Sequence, residues 1–175
     1  EDPRNPDVLY LGTELGLFVS INGGENWVEL RSNMPTLPFN DLVVHPRDND
    51  LVLGTHGRGI WILDNLNPIQ EMSSQLLAQE AALFTIPDAE LIDENRQGAH
   101  RGDMFYQGEN PRRGVLIDYY LSEAVAKKDI SMAIHSMNGE EINTVSVDTS
   151  AGIQRVYWDG RHADFASPYR PEGAD

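Results

Sequence analysis

The chain is expected to be all-β, and three features of its 175 residues point that way. Short runs of Val, Leu, Ile and aromatic residues are punctuated by Gly, Asn, Asp and Pro, the pattern of strands joined by tight turns. A stretch repeats: Asp2-Pro3-Arg4-Asn5-Pro6-Asp7-Val8-Leu9-Tyr10-Leu11-Gly12-Thr13 is echoed by His45-Pro46-Arg47-Asp48-Asn49-Asp50-Leu51-Val52-Leu53-Gly54-Thr55, with Gly12 and Gly54 42 residues apart. Both copies then enter a Gly, an aromatic and an apolar strand, Gly16-Leu17-Phe18-Val19 and Gly59-Ile60-Trp61-Ile62. Between the copies lies Ser20-Ile21-Asn22-Gly23-Gly24-Glu25-Asn26-Trp27. Its short polar side chains and paired glycines suit a turn whose backbone enters positive φ.

In order, Val8–Leu11, Leu17–Ile21 and Trp27–Leu30 are expected as strands, followed by Asp41–Val44, Leu51–Thr55 and Ile60–Leu63. They are nearly continuous in apolar residues, as strands covered on both faces are. The strand before Gly12 should pair with the strand after Gly16. The two Gly-Thr strands should lie in different sheets.

The segment from Ser20 to Trp27 fits S-x-[D/N]-x-G-x-x-W and resembles the Asp-box of bacterial-neuraminidase-type repeats, with Asn22 where Asp is usual. Together with the repeat and the Gly54-Thr55-His56-Gly57-Arg58-Gly59-Ile60-Trp61-Ile62-Leu63-Asp64 ending, residues 2–65 resemble Asp-box and sortilin-like β-propellers. That class holds sialidases, xyloglucan-cleaving glycosidases and peptide-binding receptors without enzymatic activity. The repeat length suits one propeller blade, about 40–50 residues. The resemblance implies a partial propeller, its last one to two blades in residues 1–65, with Ser20, Asn22, Gly24 and Trp27 as structural Asp-box residues. Trp27 is expected to be a mostly buried anchor. With blade strands lettered outward from the axis, the chain supplies b, c and d of one blade and a, b and c of the next. The second blade has no Asp-box, as a closing blade would if it borrowed its outer strand. Two repeats do not make a stable propeller, so the chain reads as a piece whose other blades belong to the same parent chain.

Residues 66–113 are expected to form a connector with one short helix over Ser74–Ala82, N-capped by Ser73 or Ser74. Asp88–Arg113 is polar and aperiodic. Residues 114–175 return to β. Val115–Leu121, Ile130–His135, Ile142–Val147 and Gln154–Trp158 are strand candidates, and Asn138-Gly139 is a hairpin signal. The run from Ala151 to Arg161 resembles the closing strand of the immunoglobulin-like module of flagellar hook-capping proteins, which implies an antiparallel sandwich. Its expected core is Val115, Ile117, Met132, Ile134, Val145, Val156 and Trp158.

A net charge of −15, spread evenly along the chain, argues against nucleic acid, whose binding rests on Lys and Arg contacts to phosphate. The chain has no cysteine, hence no disulfide framework and no thiolate metal site. No apolar run is long enough to insert in a membrane. The resemblance implies an extracytoplasmic location, secreted or periplasmic.

Candidates for chemistry are few. Glycoside hydrolysis requires two carboxylates flanking the scissile bond. Glu140-Glu141 and Asp93-Glu94 read as solvated pairs, and no catalytic residue carries over from the family. Asp48-Asn49-Asp50 reads as a turn and not as a calcium loop. His45, His56, His100, His135 and His162 lack metal spacing, and no cofactor is expected. In a propeller the b–c and d–a loops share the ligand face. That places Glu14, His56 and Arg58 on one face, opposite Asn22, as candidate ligand-binding residues. The alternative for His56 and Arg58 is to hydrogen-bond their own Gly57/Gly59 turn. The expected function is non-catalytic binding of glycan or peptide. The alternative is the C-terminal part of a sialidase-like or xyloglucanase-like glycoside hydrolase with its catalytic carboxylates upstream.

Overall fold

The computed structural model describes residues 1–31, 33–89 and 114–164. It consists of two compact units, residues 1–85 and 86–175. The regular structure of the described residues is mostly strand, arranged in small antiparallel sheets with two short helices.

The first unit is built from the repeat. Strands β1 (Leu9–Gly12), β2 (Leu17–Ser20) and β3 (Val28–Glu29) form one antiparallel sheet. Strands β4 (Phe39–Val44), β5 (Leu51–Thr55) and β6 (Ile60–Leu63) form another, so the two Gly-Thr strands lie in different sheets. The two copies share one register. Tyr10 faces Val19 and Gly12 faces Leu17 in the first sheet, as Val52 faces Ile62 and Gly54 faces Ile60 in the second. Ahead of each copy a loop closes on itself, the Asp2 N–H donating to Val8 O at 2.8 Å and the His45 N–H to Asp50 O at 2.7 Å.

Alternate side chains of a strand point to opposite faces, and that sorts the core. Tyr10, Leu17 and Val19 of the first sheet bury with Leu51 and Leu53 of the second, and Leu42, Val44, Trp61 and Leu63 pack around them. Gly12 lets the sheets approach: a Cβ there would lie 2.9 Å from Phe39 Cβ and 3.0 Å from Phe39 O.

After β6 the chain forms helices α1 (Asn67–Glu71) and α2 (Ser74–Leu77) and then strand β7 (Ala81–Leu83). Leu66 and Ile69 join the core of the two sheets. Ser73 caps α2, its Oγ accepting the Leu76 N–H at 3.2 Å, as expected. The helix expected to reach Ala82 ends at Leu77, and Ala81–Leu83 is extended. No residue of α2 is buried, and a helix this short is not held without a packed face.

Helix α1 carries a polar latch between the two copies of the repeat. Gln70 Nε2 donates to Asp2 Oδ2 at 2.8 Å and to Asn49 Oδ1 at 2.9 Å, and Asn49 Nδ2 returns a bond to Gln70 Oε1 at 2.9 Å. Asn49 Nδ2 also donates to Asn67 Oδ1 at 2.8 Å, and Asn67 Nδ2 to Thr85 O at 2.9 Å. Asp2, 2% exposed, accepts further bonds from Tyr10 Oη and from the backbone N–H groups of Arg4 and Asn5. Among the described residues no buried side-chain polar atom is left without a partner.

The second unit contains β8 (Val115–Leu121) and β11 (Gly152–Trp158), antiparallel over seven residue pairs. It also contains the hairpin of β9 (Met132–His135) and β10 (Glu141–Val145). Asn138-Gly139 makes the hairpin turn, with Gly139 at φ 83°. Its core differs from expectation. Of the seven residues named, only Ile117 is fully buried; Tyr119 and Leu121 complete the buried set, and the other six are half-buried. Beside them, buried Asp118 accepts from Arg155 Nε at 2.7 Å and Nη2 at 2.9 Å across the strand pair. Asp118 lies on the β8 face opposite Ile117, Tyr119 and Leu121, and the bidentate pair is what lets a carboxylate be buried there. Residues 90–113 and 165–175, with Asp93, Glu94 and His100, lie outside the described residues.

Burial pushes the Asp2 carboxyl up, but hydrogen bonds from Gln70, Arg4, Tyr10 and Asn5 outweigh it and hold it below the usual carboxylate range. Burial and then the Asp2 bond push Tyr10 well above an ordinary phenol. The folded value of Asp2 lies below the unfolded one. Its stabilisation is therefore complete above the ordinary carboxylate pKa and is lost as pH falls through the lower folded value. Asp2→Asn should lower stability near neutrality by about 1–3 kcal/mol. The gap to wild type should narrow as urea titrations are repeated toward about pH 2. A gap constant with pH would contradict the ionised-latch assignment. Gly12→Ala should destabilise the first unit by about 1–3 kcal/mol, the cost of overpacking a close contact, whereas unchanged thermal unfolding would show that the sheets part freely there.

Candidate functional site

The two loops that carry the candidate ligand residues are built alike. In the β1–β2 loop the Thr13 N–H and hydroxyl both donate to Gly16 O at 2.9 Å, and Thr13 Oγ1 accepts the Leu15 and Gly16 N–H groups. In the β5–β6 loop Thr55 Oγ1 donates to Gly59 O at 2.7 Å and its N–H to the same oxygen at 3.2 Å. The Thr of the repeated Gly-Thr is thus a clamp that closes each loop. The second loop is one residue longer, and Gly57 and Gly59, at φ 82° and 73°, take the curvature.

Both loops are tied to one short segment. The Phe39 N–H donates to Thr13 O at 2.9 Å, and the His56 N–H to Pro38 O at 3.0 Å. Glu14, His56 and Arg58 therefore stand on loops gathered around Pro38–Phe39. The turn of residues 20–27 follows the other end of β2. All three side chains are exposed and make no hydrogen bond or ion pair among the described residues. His56 and Arg58 do not bond the Gly57/Gly59 turn; Thr55 performs that role. A cavity of about 60 Å³ beside Leu15, Leu17, Glu29, Leu30, Met34 and Phe39 has room for a few waters and no sugar ring.

At the opposite end residues 20–27 form a tight turn. Ser20 Oγ accepts the Gly24 N–H at 2.8 Å and donates to Asn22 Oδ1 at 3.0 Å, which accepts the Asn26 N–H at 2.9 Å. Gly23 and Gly24 hold φ of 66° and 95°. Trp27 departs from expectation: it is 40% exposed, not buried. The ring lies against the turn, its Nε1 donating to Gly24 O at 3.1 Å. It leads into β3, a two-residue strand at the edge of its sheet. Next to this turn an open groove of about 550 Å³ runs between Asn5, Asp7, Asn22, Glu25, Ser74 and Leu77, a feature no local pattern announces. Among the described residues no group of His, Cys, Asp or Glu is arranged to hold a metal ion, and no helix is long and apolar enough to cross a membrane.

Comparison with protein-family models, with curated proteins and with solved structures finds no match.

With its ring half in solvent, Trp27→Ala should cost about 1–2 kcal/mol, less than the roughly 3–5 of a fully buried aromatic. Asn22→Asp keeps the acceptor that serves Ser20 and Asn26 and should shift stability by no more than about 0.5 kcal/mol. Denaturant titration of both variants is the check. A Trp27→Ala loss in the range of core aromatics would restore the buried-anchor reading.

Proposed function

We propose that this chain is a non-catalytic binding and scaffold unit of the Asp-box β-propeller kind, whose loop end at Glu14, His56 and Arg58 recognises a glycan or peptide. One observation carries the reading. Two equivalent loops of successive repeats, each clamped by its own Thr, converge on Pro38–Phe39 and hold three polar side chains exposed and unengaged. Side chains needed for folding are engaged, as Asp2, Asn49 and Gln70 are. Among the described residues these three are not, and they share one end of the unit. Arg58 offers five donors in a planar fork suited to a carboxylate or to paired sugar hydroxyls. Glu14 supplies acceptors, and His56 either sense of bond. In this reading β1–β3 and β4–β6 are neighbouring blades, and the second unit is an immunoglobulin-like accessory module. The setting is extracytoplasmic, where such ligands are displayed.

The test is binding of the 175-residue chain to an array of neutral and acidic oligosaccharides and of peptides with free C-terminal carboxylates. Arg58→Glu should weaken a positive signal at least about tenfold, equivalent to 1.4 kcal/mol, and Glu14→Gln should weaken it less. The thermal midpoint should stay in place, because neither side chain supports the fold. Binding that survives Arg58→Glu, Glu14→Gln and His56→Ala together would refute the assignment.

A further inference from the structure

The chain contains two Asn-Gly pairs, Asn22-Gly23 and Asn138-Gly139. In this dipeptide the backbone nitrogen is well placed to attack the side-chain amide before it, because glycine puts no Cβ in the way. The attack needs two freedoms. The amide carbon must swing onto the following nitrogen, and that nitrogen must leave any hydrogen bond to lose its proton.

The fold denies both at Asn22. Its Oδ1 accepts from Ser20 Oγ at 3.0 Å and from the Asn26 N–H at 2.9 Å, which fixes the amide toward its own turn. The Gly23 N–H donates to Asp7 O at 2.8 Å, in the loop at the head of the first repeat. Freeing that nitrogen means pulling the loop away from the turn of residues 20–27.

Asn138 is held far less. Its side chain is exposed and makes no hydrogen bond among the described residues. Gly139 is exposed at φ 83°, with nothing within 4 Å of where a Cβ would stand. The Gly139 N–H donates to Ser136 O at 2.9 Å, but that partner is three residues back in the same turn. Strands β9 and β10 form a sheet of only two strands. A two-stranded hairpin is weakly held, and its tip opens locally at low cost.

We infer that Asn138 is a site of self-modification, at which the Gly139 nitrogen attacks Asn138 Cγ, while Asn22 keeps its amide. The new N–Cγ bond closes a succinimide ring. The Gly139 nitrogen gives up its proton, and the Cγ–Nδ2 bond breaks to release ammonia. Water then opens the ring, at Cγ to give aspartate or at the backbone carbonyl to give isoaspartate. Water is the only co-reactant. The product places a carboxylate next to Glu140 and Glu141. The isoaspartyl form also adds a methylene to the backbone of a turn that the Gly139–Ser136 bond closes. The inference rests on the hairpin and is independent of ligand recognition at the loop end.

The test holds the 175-residue chain at mildly alkaline pH and physiological temperature, with samples taken over weeks. Brief trypsin digestion releases residues 5–31 and 129–155, which carry one Asn-Gly pair each. Fragment-ion mass spectrometry places every amide-to-acid change, and chromatography separates the aspartyl and isoaspartyl products. In the folded chain Asn138 should convert at least about tenfold faster than Asn22, the mark of a site that opens locally against one that does not. In concentrated urea the two rates should come within about twofold, because unfolding removes what separates them. Asn138→Gln should abolish the isoaspartate signal of residues 129–155. Equal rates in the folded chain, faster conversion at Asn22, or an unchanged Asn138 amide would overturn the inference. So would a rate difference of the same size in urea, which would assign it to sequence neighbours, or an isoaspartate signal that survives Asn138→Gln.

Discussion

The first unit depends on one side chain reaching two places at once. Gln70 bonds Asp2 at the head of the first repeat and Asn49 at the head of the second, from a helix only five residues long. Burying amides and a carboxylate is costly unless every donor and acceptor finds a partner. Here they do: Asn67, Tyr10 and the backbone of Arg4, Asn5 and Thr85 complete the set. Two small sheets bury too little apolar surface to be secure, and the latch joins them where the chain enters each. Asn5 Nδ2, donating to Gln70 O at 2.7 Å, ties the same helix by its backbone.

The latch fixes one end of the stack and leaves the other free for loops. At the free end the Thr clamps close each loop with the backbone's own carbonyl, and among the described residues the side chains of Glu14, His56 and Arg58 make no hydrogen bond or ion pair. Between the two ends lies the apolar contact of Tyr10, Leu17 and Val19 with Leu51 and Leu53. The second unit is organised differently, around a bidentate Asp118–Arg155 pair set into a long strand pairing.

The strands of residues 1–65, their pairing and the turn after Ser20 were legible because each rests on local signals: alternation, glycine, and a short polar side chain near its own backbone. The loops at Glu14 and at His56 and Arg58 were legible as a pair because the repeat places them equivalently. The burial of Trp27 was not, since it depends on tertiary packing around an edge strand, and the ring is left 40% exposed. The latch was hidden for the opposite reason. Asp2 and Asn49 have the look of turn residues, and only tertiary packing brings Gln70 to both. Helix α2 stops early because no face of it is buried, and Tyr119 escaped as a core residue because its hydroxyl, which bonds Asp148 O at 2.7 Å, disguises an apolar ring.

If Gln70 couples the two repeats, Asp2 and Asn49 are energetically linked through it, although their side chains do not bond one another. A double-mutant cycle of Asp2→Ala and Asn49→Ala on unfolding free energy should give a coupling of about 0.5–3 kcal/mol, and the same cycle in a Gln70→Ala background should give none within about 0.5 kcal/mol. Additive effects in the wild-type background, or a coupling that persists without Gln70, would contradict the latch as the element on which the stack depends.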